Sequence, residues 1–256
     1  MKNIFSLINL IIFLFISNNI YCQEKKIPKF DISLGGGVSL PVGIYGEKNA
    51  SKAAIYPDSY NVIGFAKELC GFANTGYNFN IKFQYRILSY LNLSLLTGTY
   101  SNSVETKGMS DLMTKISSEI VKEDSYRYLY ILPGVGYYYS LNNLEFGLDL
   151  LMGYSITGFP YYEFIFVPFY GNPPAMFAHD GPRPNLNSFT YGISVSANYH
   201  ISKHFNLGID AIYQRANYNY TVTPRLFPAG GGSDLTFSDI LKARVINAGL
   251  KIGYSF

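Results

Sequence analysis

The chain has 256 residues, of which 48% are hydrophobic and 14% are charged, and its formal net charge is +3. Globular proteins usually carry about 25% charged residues. The sequence has no basic run and no RNA-binding motif, so together with the small net charge it argues against nucleic acid as a partner. Aromatic residues are abundant instead, with 24 Tyr, 19 Phe and no Trp.

The first 22 residues predict a secretory signal peptide. Lys2 precedes an apolar run from Ile4 to Ile16. This run is shorter than the ~20 residues that a membrane-spanning helix needs. We therefore expect a signal peptide at 1–22 and a mature domain at 23–256.

Cys22 leaves one alternative open at the cleavage site, because a lipoprotein would be acylated on that residue. Lipoprotein cleavage needs a small residue just before the cysteine, and Tyr21 is bulky. Ordinary cleavage after Cys22 is therefore the preferred interpretation. Cys70 is then the only thiol, which excludes an intramolecular disulfide and every multi-cysteine metal motif.

Alternating apolar and polar residues recur along the mature chain, and this alternation predicts β-strands. In YNFNIKFQYR (77–86), for example, the odd positions are aromatic or aliphatic and the even positions are polar or charged. Each segment is long enough for the ~9–11 tilted residues with which a strand crosses a bilayer. One segment, 126–139, is apolar on both faces, so the sequence does not indicate which face points into the lumen. The eight predicted strands are 30–40, 77–86, 91–100, 126–139, 144–154, 189–199, 205–213 and about 244–256.

The connections between the predicted strands alternate strictly between short and long. The short ones are 87–90, 140–143 and 201–204, and their flanking sequences YRILSYLNLSL, YYSLNNLEFGL and YHISKHFNLGI align without gaps. A transmembrane β-barrel has short periplasmic turns and long extracellular loops. The sequence therefore predicts an all-β, up-and-down antiparallel transmembrane β-barrel of about eight strands. Ten strands are the alternative, if part of 53–75 or of 217–240 pairs.

The segment NAGLKIGYSF (247–256) predicts a closing strand. A barrel in lipid has no free edge, so the last strand must pair with the first. The apolar face of this segment finishes with Tyr254 and Phe256, at the level where aromatic girdles lie, and Lys251 points into the lumen.

These features together resemble the outer-membrane β-barrel family common in Bacteroidota. The residues that carry the resemblance are Gln23 directly after the signal peptide, the Tyr-rich hairpins, LNLSLLTGTY (91–100) and the terminal GLKIGYSF. The resemblance covers about 28–256. It implies an outer-membrane location, contact with outer-membrane lipids, and insertion by the assembly machinery that reads a C-terminal strand ending in Phe. It implies no particular activity.

Seven charged residues fall on the lumen parity, four acids and three bases. The interior of an eight-stranded barrel is just wide enough for side chains to fill, and unpaired charges there cost several kcal/mol each. We expect Lys82 and Lys251 each to pair with Asp149, Asp210 or another inward acid, so that the lumen is plugged. An ion or proton path is the alternative. The seven residues are Asp31, Lys82, Arg86, Glu145, Asp149, Asp210 and Lys251.

Two of the long loops carry recognisable patterns. The loop 161–185 is aromatic and contains five prolines, and two interpretations stay open. Its phenylalanines either extend a strand past the membrane and pack on other loops, or they contact a ligand or partner. In 110–125, Leu112, Ile116 and Ile120 recur every four residues, which indicates a short amphipathic helix. A strand extension is the alternative for that segment. The phenylalanines of the first loop are Phe164, Phe166 and Phe169; its prolines are Pro168, Pro173, Pro174, Pro182 and Pro184.

The histidines offer weak catalytic candidates. His200-Ile201-Ser202 resembles the His-x-Ser element of outer-membrane lipid A deacylases, but it falls in a predicted periplasmic turn, and Lys203 replaces the Asn of that family. His179-Asp180 lies in a long loop without a matching second acidic pair. The GGG runs at 35–37 and 230–232 are not followed by the GK[ST] of a phosphate loop.

We therefore predict no catalytic, cofactor-binding or metal-ligating residues and no enzymatic activity. The sequence favours a barrel that acts through its extracellular loops, by adhesion, by envelope integrity or as the partner of a secretion or assembly complex. The alternatives are a barrel enzyme acting on lipid A or peptides, and a narrow pore or transporter.

Overall fold

A computed structural model describes residues 29–55, 64–114, 118–123, 125–158, 162–166, 175–178, 185–222, 225–227 and 237–256. The predicted signal peptide and Cys22 lie outside these residues, so they stay predictions. No helix within the described ranges is long and apolar enough to span a membrane.

Eight long strands close into a barrel in which each strand pairs antiparallel with its neighbours. They are β1 (Phe30–Pro41), β4 (Ala73–Leu88), β5 (Leu91–Val104), β7 (Tyr126–Leu141), β8 (Leu144–Gly158), β11 (Asn185–His200), β12 (Phe205–Val222) and β14 (Phe237–Ser255). The short strands are β2 (Ala54–Ile55), β3 (Gly64–Phe65), β6 (Ser118–Glu123), β9 (Tyr162–Phe166), β10 (Ala175–Ala178) and β13 (Arg225–Phe227). The predicted eight-stranded barrel is thus confirmed. The ten-strand alternative is wrong, because β2 and β3 pair with each other and β13 joins a separate sheet.

The inward and outward faces follow the alternation that the sequence shows. Leu250 is 72% exposed on the outer face, whereas its neighbour Lys251 is only 5% exposed. On β12 the outward residues from Phe205 to Tyr213 are apolar or aromatic. Transmembrane barrels carry such an outward apolar band, ~25 Å tall. The architecture is therefore that of an outer-membrane β-barrel.

The two ends of the barrel differ in their connections. At one end the strands are joined by short turns at 89–90, 142–143 and 201–204. Asn142 has a φ of 56°, a left-handed conformation that Asn tolerates better than most residues. The long connections all lie at the other end. The short turns thus mark the periplasmic end and the long loops mark the extracellular end.

The seam between β1 and β14 closes the barrel. Asp31 lies opposite Ser255, and the Phe256 amide donates a hydrogen bond of 2.8 Å to the Phe30 carbonyl oxygen. The Phe256 ring centroid lies 6.0 Å from that of Phe30. Further along the seam Gly37 lies opposite Gly249, and a Cβ at Gly37 would overlap backbone atoms of β14. The glycine run at 35–37 therefore serves close strand approach, and 230–232 lies outside the described residues.

Three long loops contribute strands to a second, smaller sheet at the extracellular end, in the order β13-β10-β9-β6. A helix at Lys107–Thr114 precedes β6, so the helix expected in 110–125 is correct only for the first part of that segment. Phe164 and Phe166 lie in β9, which is a separate strand of this second sheet and not a continuation of a barrel strand. Phe169 and the five prolines of this loop lie outside the described residues.

Candidate functional site

The periplasmic half of the lumen contains an ion pair that joins two strands with two others between them. The Lys82 Nζ on β4 lies 2.5 Å from the Asp149 Oδ2 on β8, and both side chains are buried. The Tyr138 hydroxyl donates to the Asp149 carboxylate at 2.9 Å and accepts from Lys82 at 3.0 Å. Gln84 also donates to this hydroxyl. Gly147 lies beside the Tyr138 ring, where a Cβ would overlap it. The predicted partner of Lys82 is thus confirmed.

A second ion pair joins the same two strands nearer the short turns. The Arg86 Nη2 lies 2.6 Å from the Glu145 Oε2. Asp31 is held differently, because its Oδ2 accepts hydrogen bonds from the Asn206 amide at 3.0 Å and from the Ser255 hydroxyl at 2.7 Å. We call Lys82, Arg86, Tyr138, Glu145 and Asp149 the ion-pair layer. These residues fill the lumen with charges that neutralise each other.

The predicted ion pair of Lys251 is wrong. Lys251 and Asp210 do point into the lumen, with exposed fractions of 5% and 7%. However, neither makes an ion pair or a hydrogen bond with any residue in the described ranges. In the register of β12 and β14, Lys251 lies opposite Gly208 and Asp210 lies opposite Gly249. The two side chains are therefore offset diagonally, by the ~7–8 Å that separates such positions.

The extracellular half of the lumen is filled by aromatic rings. Tyr128 lies at its centre, with its ring stacked on Tyr100 at a centroid distance of 4.3 Å and tilted against Tyr218 at 5.7 Å. We call Tyr100, Tyr126, Tyr128, Tyr130 and Tyr218 the tyrosine layer. All five point inward and are almost fully buried. This settles the facing of β7, which the sequence leaves open.

The first extracellular loop folds back over the tyrosine layer. We call its described residues, 42–55 and 64–72, the cap. Tyr45, in a 3-10 turn at Gly43–Gly46, is fully buried, and its ring centroid lies 5.4 Å from that of Tyr126. Its hydroxyl donates to the Asn102 Oδ1 at 3.4 Å, and burial raises its pKa well above the ordinary value. The Tyr126 hydroxyl donates to the Gly71 carbonyl oxygen at 2.6 Å.

Asp239 anchors the far side of the cap to the barrel wall. Its carboxylate accepts hydrogen bonds from the backbone amides of Lys67 at 2.6 Å and Glu68 at 3.0 Å, and also from the Tyr220 hydroxyl. The Lys242 Nζ pairs with the Glu68 carboxylate at 2.7 Å. One inward carboxylate at the top of β14 therefore holds two successive backbone amides of the loop.

Cys70 lies in the cap and is inaccessible to solvent. Its thiol donates to the Asn49 carbonyl oxygen at 3.2 Å. Burial, with a contribution from the nearby Glu47 charge, raises the pKa of this thiol to about 11. The thiol therefore stays protonated and unreactive while the cap is closed.

Glu47 and Lys52 form an exposed ion pair on the cap. The hydrogen bond from Lys52, at 2.8 Å, lowers the pKa of the Glu47 carboxyl and raises the pKa of Lys52. Glu47 also accepts a hydrogen bond from the Asn49 amide. This carboxylate thus organises the start of the short helix Ala50–Ala53.

The histidine candidates lie at the periplasmic end or outside the described residues. The Ser202 hydroxyl accepts from the backbone amides of His204 and Phe205, so it stabilises the turn. The His204 Nδ1 lies 2.9 Å from the Ser255 carbonyl oxygen. His200 ends β11 and donates its backbone amide to the Asn143 carbonyl oxygen. His179-Asp180 lies outside the described residues, and within them no group of three His, Cys, Asp or Glu side chains could hold a metal.

No family model matches the chain, and no curated protein matches it. Solved structures of outer-membrane proteins are similar to it. OprG from Pseudomonas aeruginosa is 12% identical over 90% of this chain and 98% of that chain, with a TM-score of 0.49. A major outer membrane protein from Thermus thermophilus is 12% identical over 89% and 98%, with a TM-score of 0.43. Ail, the attachment invasion locus protein of Yersinia pestis, is 16% identical over 90% and 99%, with a TM-score of 0.40.

Proposed function

We propose that this outer-membrane barrel is not an enzyme and acts through its extracellular loops, by adhesion, by supporting the envelope or as the surface-exposed partner of a secretion or assembly complex. We also propose that the chain belongs to the outer-membrane β-barrel family common in Bacteroidota. The observation that carries it is the organisation of the loops. Three of them pair through their backbones into one sheet, β13-β10-β9-β6, and a fourth forms the cap.

The filled lumen supports this proposal over a pore. The ion-pair layer crosses the periplasmic half from β4 to β8. Above it the tyrosine layer and Tyr45 fill the cross-section. Loops with regular secondary structure outside a filled barrel are typical of a binding surface on a rigid scaffold.

A complementation experiment tests the role of the loops. A strain lacking the gene is given the wild-type chain or a chain in which 159–184, which carries the β9–β10 hairpin, is replaced by a short Gly-Ser turn. The variant barrel should assemble at wild-type levels but should fail to restore adherence or resistance to detergents. Lys203→Ala, in an exposed periplasmic turn, is the matched control and should restore both.

Two measurements separate the alternatives. The purified barrel should give no steady conductance in planar bilayers, and a steady single-channel current would favour the pore. Lipid A extracted from the deletion strain and from the complemented strain should have the same mass spectrum. A mass difference removed only by the wild-type chain would favour the enzyme.

A further inference from the structure

The acids of the barrel strands all point inward, whereas the bases point both inward and outward. The acids Asp31, Glu145, Asp149, Asp210 and Asp239 all point inward. The outward charges on these strands, by contrast, are all basic and all lie toward the extracellular end. The outward charges are Arg127 on β7, Arg215 on β12, and Lys242 and Arg244 on β14.

Two of these outward residues face each other. Arg215 lies directly opposite Arg244 in the register of β12 and β14. Like charges in directly opposed positions are destabilising unless something compensates for them. Neither arginine side chain makes an ion pair or a hydrogen bond with the described part of the chain, and the Nε atom of each is buried there without a hydrogen-bond partner. Lys242, in contrast, is already paired with Glu68. The two arginine side chains therefore have no anionic partner among the described residues.

Their height on the wall indicates what surrounds them. Arg215 follows Phe205 by ten positions and Arg244 precedes Tyr254 by ten, and Phe205 lies opposite Tyr254. At a rise of ~3.3 Å per residue and a tilt of ~40°, ten residues climb ~25 Å, which is the height of the apolar band. Both guanidinium groups thus lie where hydrocarbon gives way to the headgroups of the outer leaflet.

Each arginine has one defined neighbour on the wall. The Arg215 guanidinium carbon lies 5.8 Å from the centroid of the Tyr191 ring, which is close enough for a cation–π contact. Tyr191 lies directly opposite Arg215 in the register of β11 and β12. Arg244 lies beside the turn at Gly43, where the cap leaves the barrel wall. These two contacts position the side chains on the outer wall, next to each other.

We propose that Arg215 and Arg244 bind a phosphate group of a phosphorylated glycolipid in the outer leaflet. Planar guanidinium groups donate paired hydrogen bonds to phosphate oxygens, and a phosphate neutralises the repulsion between two adjacent arginines. The site takes a lipid because it lies on the outer wall, directly above the apolar band, where acyl chains can pack below the bound phosphate. Both arginines belong to barrel strands, and the site includes no residue of the β13-β10-β9-β6 sheet.

Binding of lipid A by the purified full-length mature barrel tests this site. The barrel in detergent micelles is titrated with bis-phosphorylated lipid A, with the dephosphorylated lipid, and with inorganic phosphate, and complexes are counted by native mass spectrometry. The wild-type barrel should prefer the phosphorylated lipid. A basic residue near an anionic lipid surface contributes ~1 kcal/mol, so each arginine lost should weaken binding about fivefold and Arg215→Ala/Arg244→Ala about thirtyfold.

Arg127→Ala is the matched control, because Arg127 is an outward arginine at the same end but on β7, across the barrel. Arg127 lies too far around the barrel to contact a phosphate bound between Arg215 and Arg244, so the affinity of Arg127→Ala for the lipid should change less than about twofold. Arg215→Lys/Arg244→Lys keeps the charge but lacks the paired donors. Its affinity for the lipid should lie between that of the wild type and that of Arg215→Ala/Arg244→Ala. Heat-modifiability on gels verifies that every variant is folded. Equal binding by wild type and the alanine pair, equal binding of both lipids, or displacement of the lipid by millimolar inorganic phosphate would overturn the proposal.

Discussion

The two halves of the lumen are closed by different means. In the periplasmic half, Lys82–Asp149 and Arg86–Glu145 join two barrel strands to each other, so closure needs nothing outside the wall. In the extracellular half, the tyrosine layer is completed by Tyr45, which belongs to a loop. Substitutions in the lower half should therefore change the stability of the barrel. Substitutions in the upper half should change access to the lumen from outside.

The largest effect on stability is expected when only one member of the Lys82–Asp149 ion pair is replaced. Lys82→Met leaves a buried carboxylate without its cation, so the free energy of unfolding should fall by about 3–5 kcal/mol. Lys82→Met/Asp149→Leu removes both charges and should recover most of that loss. Urea unfolding of the barrel in lipid vesicles measures both variants. A double variant as unstable as the single one would show that the charges are not the cause.

The outer face of the same wall provides a reference. Leu250 lies near the middle of the apolar band on β14, so Leu250→Lys should cost roughly 2–4 kcal/mol. Ile240 also points outward, but it lies above the band toward the extracellular end. Ile240→Lys should therefore cost at most about 1 kcal/mol in the same unfolding assay. Equal losses at the two positions would mean that the band is misplaced.

Substitution of two tyrosines, one in each half of the lumen, tests directly whether the two halves differ. The Tyr138 hydroxyl bonds to both members of the buried ion pair, and hydrogen bonds to charged groups contribute about 1.5–3 kcal/mol, so Tyr138→Phe should lose that amount. Within the described residues the buried Tyr128 hydroxyl makes no hydrogen bond to a charged group, so Tyr128→Phe should cost about 1 kcal/mol at most. Similar losses for the two variants would contradict the distinction between an electrostatic lower half and an aromatic upper half.

Opening of the cap can be followed at Cys70 in a Cys22→Ser background. Asp239→Ala removes the acceptor of two cap amides, so Cys70 should react with a maleimide at least about tenfold faster, which corresponds to ~1.4 kcal/mol. Asp239→Asn keeps one oxygen acceptor, so its rate of Cys70 labelling should lie between those of the wild type and Asp239→Ala. Urea unfolding of the barrel should change much less than labelling does. A parallel loss of barrel stability would mean that the cap and the wall unfold as one unit.

The smallest effect is expected when the pH is lowered and Glu47 of the exposed Glu47–Lys52 ion pair becomes protonated. Because the pKa of Glu47 is lowered in the folded state, its contribution is present above its unfolded pKa and is lost as the pH falls through its folded pKa. Cys70 labelling by dithiodipyridine, normalised to the unfolded chain at each pH, should therefore rise modestly on acidification. Glu47→Gln should abolish that rise. A pH profile identical in the variant would assign the rise to another group.

Much of the barrel could be predicted because strand alternation and connection length are local properties of the sequence. The parity that places Lys82, Asp149 and Asp210 inside follows from the apolar residues between them. The pairing of Lys251 could not be predicted in the same way. It depends on the stagger between β12 and β14, which places Asp210 opposite Gly249 rather than opposite the lysine.

The tyrosine layer and the cap could not be predicted from the sequence for a different reason. Both faces of β7 are apolar, so nothing local shows that Tyr126, Tyr128 and Tyr130 point inward. The cap has no regular alternation, and its position depends on Asp239, which is separated from Lys67 by 172 positions. Contacts of this kind appear only when the whole barrel is assembled.

The seam between β1 and β14 sets the order of events during biogenesis. The Ser255 hydroxyl and the Asp31 carboxylate that meet there are separated by 224 positions, so this contact has one of the largest loop-closure costs in the chain. Until it forms, the growing sheet presents two unpaired edges that can pair with other chains. We therefore expect ring closure to be a late step of assembly. Any nascent chain that stalls before β14 is registered against β1 should be recognised and degraded as an open sheet.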